Sequence, residues 1–244
     1  MTIIDLFDGL DRCAPGDAAS VARVCAGVAS GAAVLDAGCG RGADLPALCA
    51  AVPGARVVAV DTAADFVAHV AKAFPHARAV CGDMANPSGG PFDLIWSGGA
   101  IYNLGVAAAL CAWRPHLAPG GRVAFSDLVL RGNGPPATRD ALSASEAIAP
   151  ELAEFFANEG VPLRNAAALR DEVAAAGFRV AETFWMPDQA WADYYLPLEP
   201  RLAIAETAAE PDTRAMAAAF RAEIALWRRH GTQYGYLVCV AVPE

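Results

Sequence analysis

Between residues 33 and 128, short apolar runs alternate with stretches in which apolar residues recur at helical spacing. The runs at 33–37, 56–60, 77–81, 92–97 and 122–128 are rich in Val, Ala, Ile and Leu without polar alternation, the pattern of strands buried on both faces. The stretches 43–52, 63–74 and 103–117 predict helices, with Phe66, Val70 and Phe74 on one face of the second. Strands and helices in alternation predict an α/β fold, a parallel sheet joined by crossover helices. Pro119-Gly120-Gly121 breaks the chain ahead of the fifth strand.

Beyond Asp127 the rhythm changes. Gly132, Gly134, Pro135 and Pro136 predict a loop and 141–156 a helix, an insertion rather than more sheet. Asn165 predicts the cap of a helix running to Ala176, Gly177 its stop, and 178–185 a further strand. Asp212 predicts the cap of a helix striped by Met216, Phe220, Ile224 and Trp227; Arg228, Arg229 and His230 suit its C-terminal end and Gly231 stops it. The run 234–242 predicts the last strand. At the front, Asp17 predicts the cap of a helix to about residue 29, preceded by an apolar flap of Ile3, Ile4, Leu6, Phe7 and Leu10. The expectation is one domain over 1–244, in which 1–30, 130–165 and 187–230 cap the strand ends, where open α/β sheets bind ligands.

Of the 244 residues, 55% are hydrophobic and 18% charged, enough to build a core without disulfide or metal staples. The net charge of −9, with Lys and Arg scattered, lacks the basic footprint of a nucleic-acid binder. Seven cysteines with no C-x-x-C spacing read as thiols in a reducing compartment, with no metal site expected. The acidic first residues, with Asp5 and Asp8, do not resemble a secretory signal, and no run is long enough to span a membrane. A cytoplasmic protein with no membrane partner is the expectation.

The most informative stretch is Val34-Leu35-Asp36-Ala37-Gly38-Cys39-Gly40-Arg41-Gly42, a buried strand that ends in an acid and enters a turn of alternate glycines. Glycine lets backbone pass close to a ligand. Gly38, Gly40 and Ala43 also satisfy the dinucleotide fingerprint, so the turn alone serves a nicotinamide dinucleotide too. Asp36, two residues before the first glycine, together with Gly42, favours S-adenosylmethionine (SAM), which offers an ammonium for the acid and has no pyrophosphate. Asp61, ending the second strand, suits two ribose hydroxyls of either cofactor, or caps the next helix. At the end of the third strand, Gly82-Asp83-Met84 offers a carboxylate, a backbone amide and a thioether to an adenine ring.

These motifs, followed by Phe92-Asp93-Leu94-Ile95 and Leu117-Ala118-Pro119-Gly120-Gly121-Arg122, resemble in order and spacing the class I SAM-dependent methyltransferases. Arg12-x-x-Pro15-Gly16, Trp191-x-x-Tyr194-Tyr195 and Tyr234-Gly235-Tyr236 are similar to a group of bacterial small-molecule methyltransferases in that class. The resemblance implies a Rossmann-like seven-stranded sheet with an antiparallel last strand. It also implies that Asp36, Gly38 and Gly40 face the methionine moiety, Asp61 the ribose, and Asp83 with Met84 the adenine. Cys39, Gly42, Thr62, Gly82 and Ser97 complete the expected cofactor set.

Methyl transfer to a small-molecule acceptor is an in-line displacement in which positioning does most of the work. Ser97-Gly98-Gly99-Ala100 replaces the Asn/Asp-Pro-Pro-aromatic motif of enzymes that grip planar amines, and leaves space beside the methyl. Arg12, Tyr102, Asn103, Trp191, Tyr194 and Tyr195 are the candidate acceptor contacts. Each has a plainer alternative: Arg12 as an exposed turn residue, Tyr102 as a hydrogen-bonded core tyrosine, the other aromatics, with Trp185, as packing for the cap. Tyr102, Asp127 and His230 are the candidate catalytic groups, Asp127 reading equally as a cap or loop ligand. Two other functions stay open on sequence alone: an NAD(P)-dependent oxidoreductase and a SAM-binding regulator without catalysis.

Overall fold

The structure is a computed structural model that describes residues 3–10, 12–132 and 148–244, the side chains of Ile3 and Ile4 apart. Each apolar run of the first half becomes a strand: β1 (Ala33–Ala37), β2 (Arg56–Asp61), β3 (Arg78–Cys81), β4 (Phe92–Gly98) and β5 (Leu117–Leu130). With β6 (Phe178–Trp185) and β7 (Tyr234–Pro243) they form a seven-stranded sheet in the order β3-β2-β1-β4-β5-β7-β6. Strands β1 to β5 pair in parallel, whereas β7 lies antiparallel between β5 and β6. The chain winds outward from β1 through β2 to β3, then returns to β4 on the other side. The C-terminal ends of β1 and β4 therefore flank the switch point where such sheets open a crevice.

Alternate residues of one strand serve opposite faces. Val34 packs in one core with Trp96, Ala124 and Val240, beneath α2 (Ala18–Val24), α3 (Leu45–Ala51) and α4 (Ala64–Ala73). Leu35 packs in the other with Ile95, Val123 and Phe125, beneath α5 (Val106–Trp113) and α7 (Ala166–Ala175). Over the first core lie α1 (Ile3–Phe7), α6 (Pro150–Asn158), α8 (Gln189–Tyr195), α9 (Glu199–Ala205) and α10 (Pro211–His230). Phe7 anchors this cap, its ring 6.1 Å from both Tyr194 and Phe220, and Arg201 donates to the Leu6 carbonyl at 3.0 Å. Among the described residues no helix is long and apolar enough to cross a membrane.

Several boundaries differ from the sequence reading. Pro119-Gly120-Gly121 does not precede β5 but lies inside it, where the β4 pairing slips; a bulge tolerates proline and glycine within a strand. The helix expected over 103–117 is three pieces, because α5 is flanked by 3₁₀ turns at Ile101–Asn103 and, around Pro115, at Arg114–His116. Helix α2 stops at Val24, not near 29, and α3 begins at Leu45 rather than 43. The cap of α10 is Glu210, with Pro211 at its first position, so Asp212 sits in the first turn and favours the helix dipole instead. Of the helix expected at 141–156, positions 141–147 lie outside the described residues, as do Gly134, Pro135 and Pro136. Asp17 and Asn165 cap as expected, each accepting a backbone N–H at 2.9 Å from Ser20 and Ala168 respectively.

Candidate functional site

Strand β1 leaves the sheet at Gly38, whose φ of +76° only glycine adopts readily. The amides of Gly38 and Cys39 both donate to the Val60 carbonyl, at 2.9 and 3.0 Å, so the turn is bolted to the end of β2. A Cβ on Gly38 would strike the Ala100 side chain and come within 3.3 Å of the Met84 sulfur. One on Gly42 would come within 2.9 Å of Leu45 and Phe74, so that glycine serves helix packing rather than a ligand. Asp61 braces the turn from below: Oδ2 accepts the Gly40 amide at 2.8 Å and Oδ1 the Ala63 amide at 2.9 Å. Asp61 is not the cap of the next helix, which begins at Ala64 with Ala63 as its cap; its carboxylate closes a local turn onto the Ala63 amide and lines the cavity above the glycine turn.

That cavity, of about 230 Å³, is walled by Arg12, Asp36, Gly38, Asp44, Asp61 and Phe66 among others. Asp36 is 2% exposed, and its Oδ2 has no hydrogen-bond partner among the described residues. Burial pushes its carboxyl well above the ordinary carboxylate range, the negative neighbours Asp44 and Asp61 push it further, and Arg12 opposes them. Arg12 is not an exposed turn residue. It pairs with Asp44 at 2.7 Å, and Asp44 also accepts the Trp96 indole N–H at 2.8 Å. Cys39 lines the cavity too, but burial drives its thiol far above the range of a reactive thiolate.

A second cavity, of about 380 Å³, lies beneath the cap between β5, β7 and helices α6, α8 and α10. Cys13, Ala14, Pro15, Gly99 and Tyr102 line both cavities and form the junction between them. Gly99 is tight: a Cβ there would approach Ala14 to 2.8 Å and the Tyr236 ring to 3.2 Å. Tyr102 is 56% exposed, which removes its reading as a core tyrosine. Trp191, Tyr194 and Tyr195 all line the second cavity, and Trp185 does not; its ring lies under the Arg131 guanidinium at 4.7 Å.

The remaining candidates divide sharply. Asn103 lines the first cavity and donates to the Ala100 carbonyl at 3.0 Å. Ser97 does not reach it; fully buried, its hydroxyl donates to the Ala37 carbonyl at 2.9 Å and ties β4 to the end of β1. Thr62, Gly82, Asp83 and Met84 lie outside the cavity wall. Thr62 is exposed, the Gly82 amide donates to the Asp61 carbonyl at 3.0 Å, and Asp83 accepts the Ala85 amide at 2.8 Å in a local turn. The Met84 carbonyl accepts the Trp113 indole N–H at 2.7 Å.

Asp127 borders the second cavity but is no free base: it is buried against Arg164, with which it pairs, and its Oδ1 accepts the Leu128 amide at 2.8 Å. Burial raises its carboxyl while Arg164 pulls it back. His230 lines neither cavity and pairs with Glu151 instead. Sequence reasoning missed Asp44, Phe66 and Glu223 as wall residues, whereas Gly99 falls in the small-residue stretch it set beside the methyl. For Glu223 a signal existed, an acid on the apolar stripe of α10 between Phe220 and Trp227.

Residues 34–121 match the model of a family described as a methyltransferase domain. A search of curated proteins found no match. The fold is similar to a SAM-dependent methyltransferase from Thiobacillus denitrificans in complex with S-adenosylhomocysteine, at 17% identity and a TM-score of 0.76 over 100% of this chain and 99% of that one. One from Geobacter sulfurreducens, also with S-adenosylhomocysteine, gives 17%, 0.73, 99% and 98%. Phosphoethanolamine N-methyltransferase 2 of Haemonchus contortus, in complex with SAM, is 16% identical with a TM-score of 0.68, over 100% of this chain and 58% of that one. At these identities the likeness is one of fold.

Proposed function

We propose that this chain, a class I SAM-dependent methyltransferase by its matched domain and its fold, holds SAM above the glycine turn and methylates a small molecule bound in the aromatic cavity. The observation that carries this reading is the pair of cavities meeting at Gly99 and Tyr102, one acidic, the other aromatic. SAM supplies a methyl on a positively charged sulfur, which the acceptor's lone pair takes as the carbon–sulfur bond breaks onto sulfur.

The chain's own residues suit that group. Asp36 keeps a buried, unpartnered carboxylate oxygen for an ammonium, and the ammonium in turn keeps Asp36 ionised. Gly38, held at a positive φ and packed against Ala100, lets the turn pass directly along the cavity wall. Asp61 uses one lone pair on each oxygen for the turn and retains the other for a ribose hydroxyl. Asp83 and Met84 stand one strand further out, on the β3 side of Asp61, where an adenine ring would extend. A pyrophosphate would instead meet Asp36 and Asp61, while the lining arginines Arg12 and Arg41 are already paired with Asp44 and Asp8, which disfavours the dinucleotide reading. The second cavity supports transfer over a purely regulatory role, since a sensor needs no second compartment.

The whole chain acts as one unit in this reading, with α1, α6 and α8 to α10 as the cap that excludes water from the transfer. Free thiols at all seven cysteines and the net charge of −9 support a cytoplasmic enzyme with no nucleic-acid partner. A crystal structure with S-adenosylhomocysteine tests the reading. Its amino group is expected within hydrogen-bond distance of Asp36 and its sulfur at the Gly99 junction; a sulfur facing away from the aromatic cavity would refute the path of transfer.

A further inference from the structure

The aromatic cavity combines two properties that together define a ligand chemistry. Its lining is rich in rings packed on one another: Trp191 stands 5.0 Å from Tyr236 at 63° and 5.3 Å from Tyr234 at 89°, Tyr194 stands 4.8 Å from Tyr195 at 48°, and Phe7 stacks on Tyr194 at 6.1 Å. Trp191, Tyr194, Tyr195, Tyr234 and Tyr236 all line the cavity, and aromatic π faces attract cations. Its charged lining residues are all acids, Asp127, Glu159 and Glu223, and among the described residues no Lys, Arg or His lines it. Asp127 pairs with Arg164, whereas Glu223 accepts the Tyr195 hydroxyl at 2.6 Å and has no cationic partner among the described residues. A phosphate or carboxylate ligand would meet these acids with no lining cation to offset them. A wholly apolar one would leave the Glu223 carboxyl without a charge to answer it.

We propose that the aromatic cavity takes an amine as the methyl acceptor and holds it as the ammonium cation that methylation makes of it. The inference rests on the reading of the first cavity as the SAM site and adds the substrate class. A C–N bond forms as the C–S bond breaks with its electron pair left on sulfur, so the positive charge passes from sulfur to nitrogen. Where the new ammonium carries an N–H, that proton leaves to Glu223 or to water; a tertiary amine gives a quaternary product with no proton to lose. The ring faces and Glu223 favour the charge at its destination more than the neutral amine, which is the differential binding that lowers the barrier. Burial, the largest influence on Glu223, raises its carboxyl above the ordinary range, and an ammonium beside it would bring it back down.

The test uses the protein saturated with S-adenosylhomocysteine and measures, by calorimetry, the affinity of choline against its neutral isostere 3,3-dimethylbutan-1-ol, with tetramethylammonium as a smaller cation. The cations are expected to bind at least about tenfold more tightly than the neutral isostere. Glu223→Gln, which retains the Tyr195 hydrogen bond, and Trp191→Leu should each reduce that preference to about threefold or less, with affinity for S-adenosylhomocysteine unchanged. Equal or weaker binding of the cations, no binding of any probe, or a preference untouched in both variants overturns the inference. Failure of the wild-type protein to bind S-adenosylhomocysteine would instead overturn the cofactor reading beneath it.

Discussion

Replacing Asp36 with Asn should move stability and cofactor affinity in opposite directions. The carboxyl is buried with an unpartnered oxygen, and its folded pKa is raised above the unfolded value of about 3.9. Below the unfolded value both states hold the proton and the group contributes nothing. As pH rises toward and through the folded value, the unfolded chain ionises first and the ligand-free fold loses stability. Asn is isosteric and uncharged. Asn stays polar but has no charge to desolvate, and avoiding that ionisation cost is worth on the order of 1–3 kcal/mol at neutral pH. With about 2–4 °C in Tm per kcal/mol for a chain this long, ligand-free Asp36→Asn should melt roughly 5 °C above the wild type at pH 7.5. The two curves should converge near pH 4. The same substitution removes the charged partner of the SAM ammonium, at a cost of at least about 2 kcal/mol, or roughly 30-fold in Kd. Thermal melts across pH 4–8 and calorimetric titration with SAM measure both quantities. A variant that loses stability along with affinity would show that Asp36 is a structural residue and would refute the reasoning.

Gly38→Ala should lower SAM affinity at least about tenfold and cost about 1–2 kcal/mol of stability, because the added methyl strikes Ala100 from a left-handed backbone; titration and melts check it. Arg164→Ala should destabilise the fold by about 3–5 kcal/mol at pH 7.5 by leaving Asp127 buried and uncompensated, and adding Asp127→Asn should recover most of the lost Tm. The Arg164→Ala deficit should shrink as pH falls and Asp127 takes up its proton. His230→Gln should leave affinity for SAM and S-adenosylhomocysteine within about twofold of wild type, since His230 lines neither cavity; a tenfold change would return it to the site.

The fold was legible wherever its signal was local. Unbroken apolar runs flanked by turn residues marked β1, β2 and β4 to within a residue or so, because parallel strands buried on both faces leave no polar alternation to blur their limits; β3 was marked as closely, though as the edge strand it is only partly buried. Capping side chains were legible at Asp17 and Asn165, where one oxygen meets one nearby amide. The same logic failed at Asp212, where Pro211 took the first helical position and moved the cap back to Glu210. It failed also at Pro119-Gly120-Gly121, where tertiary pairing absorbed a breaker as a bulge.

In the site, the glycine turn and its acids could be read because they follow one another along the chain. The Arg12 to Asp44 pair spans 32 positions, and nothing in either neighbourhood announces the other. Asp127 looked like a strand-end base, and only packing shows the Arg164 that neutralises it. The aromatic residues of α8 were seen, but whether they were core or wall depended on α6, α10 and β7 converging from distant parts of the chain.

The central claim is tested most directly by calorimetric titration of the purified protein with SAM, S-adenosylhomocysteine and NAD. The account predicts micromolar binding of SAM and of S-adenosylhomocysteine, weakened at least roughly 30-fold in Asp36→Asn, and no heat from NAD. Binding of NAD without SAM or S-adenosylhomocysteine would contradict it and return the glycine turn to the dinucleotide reading.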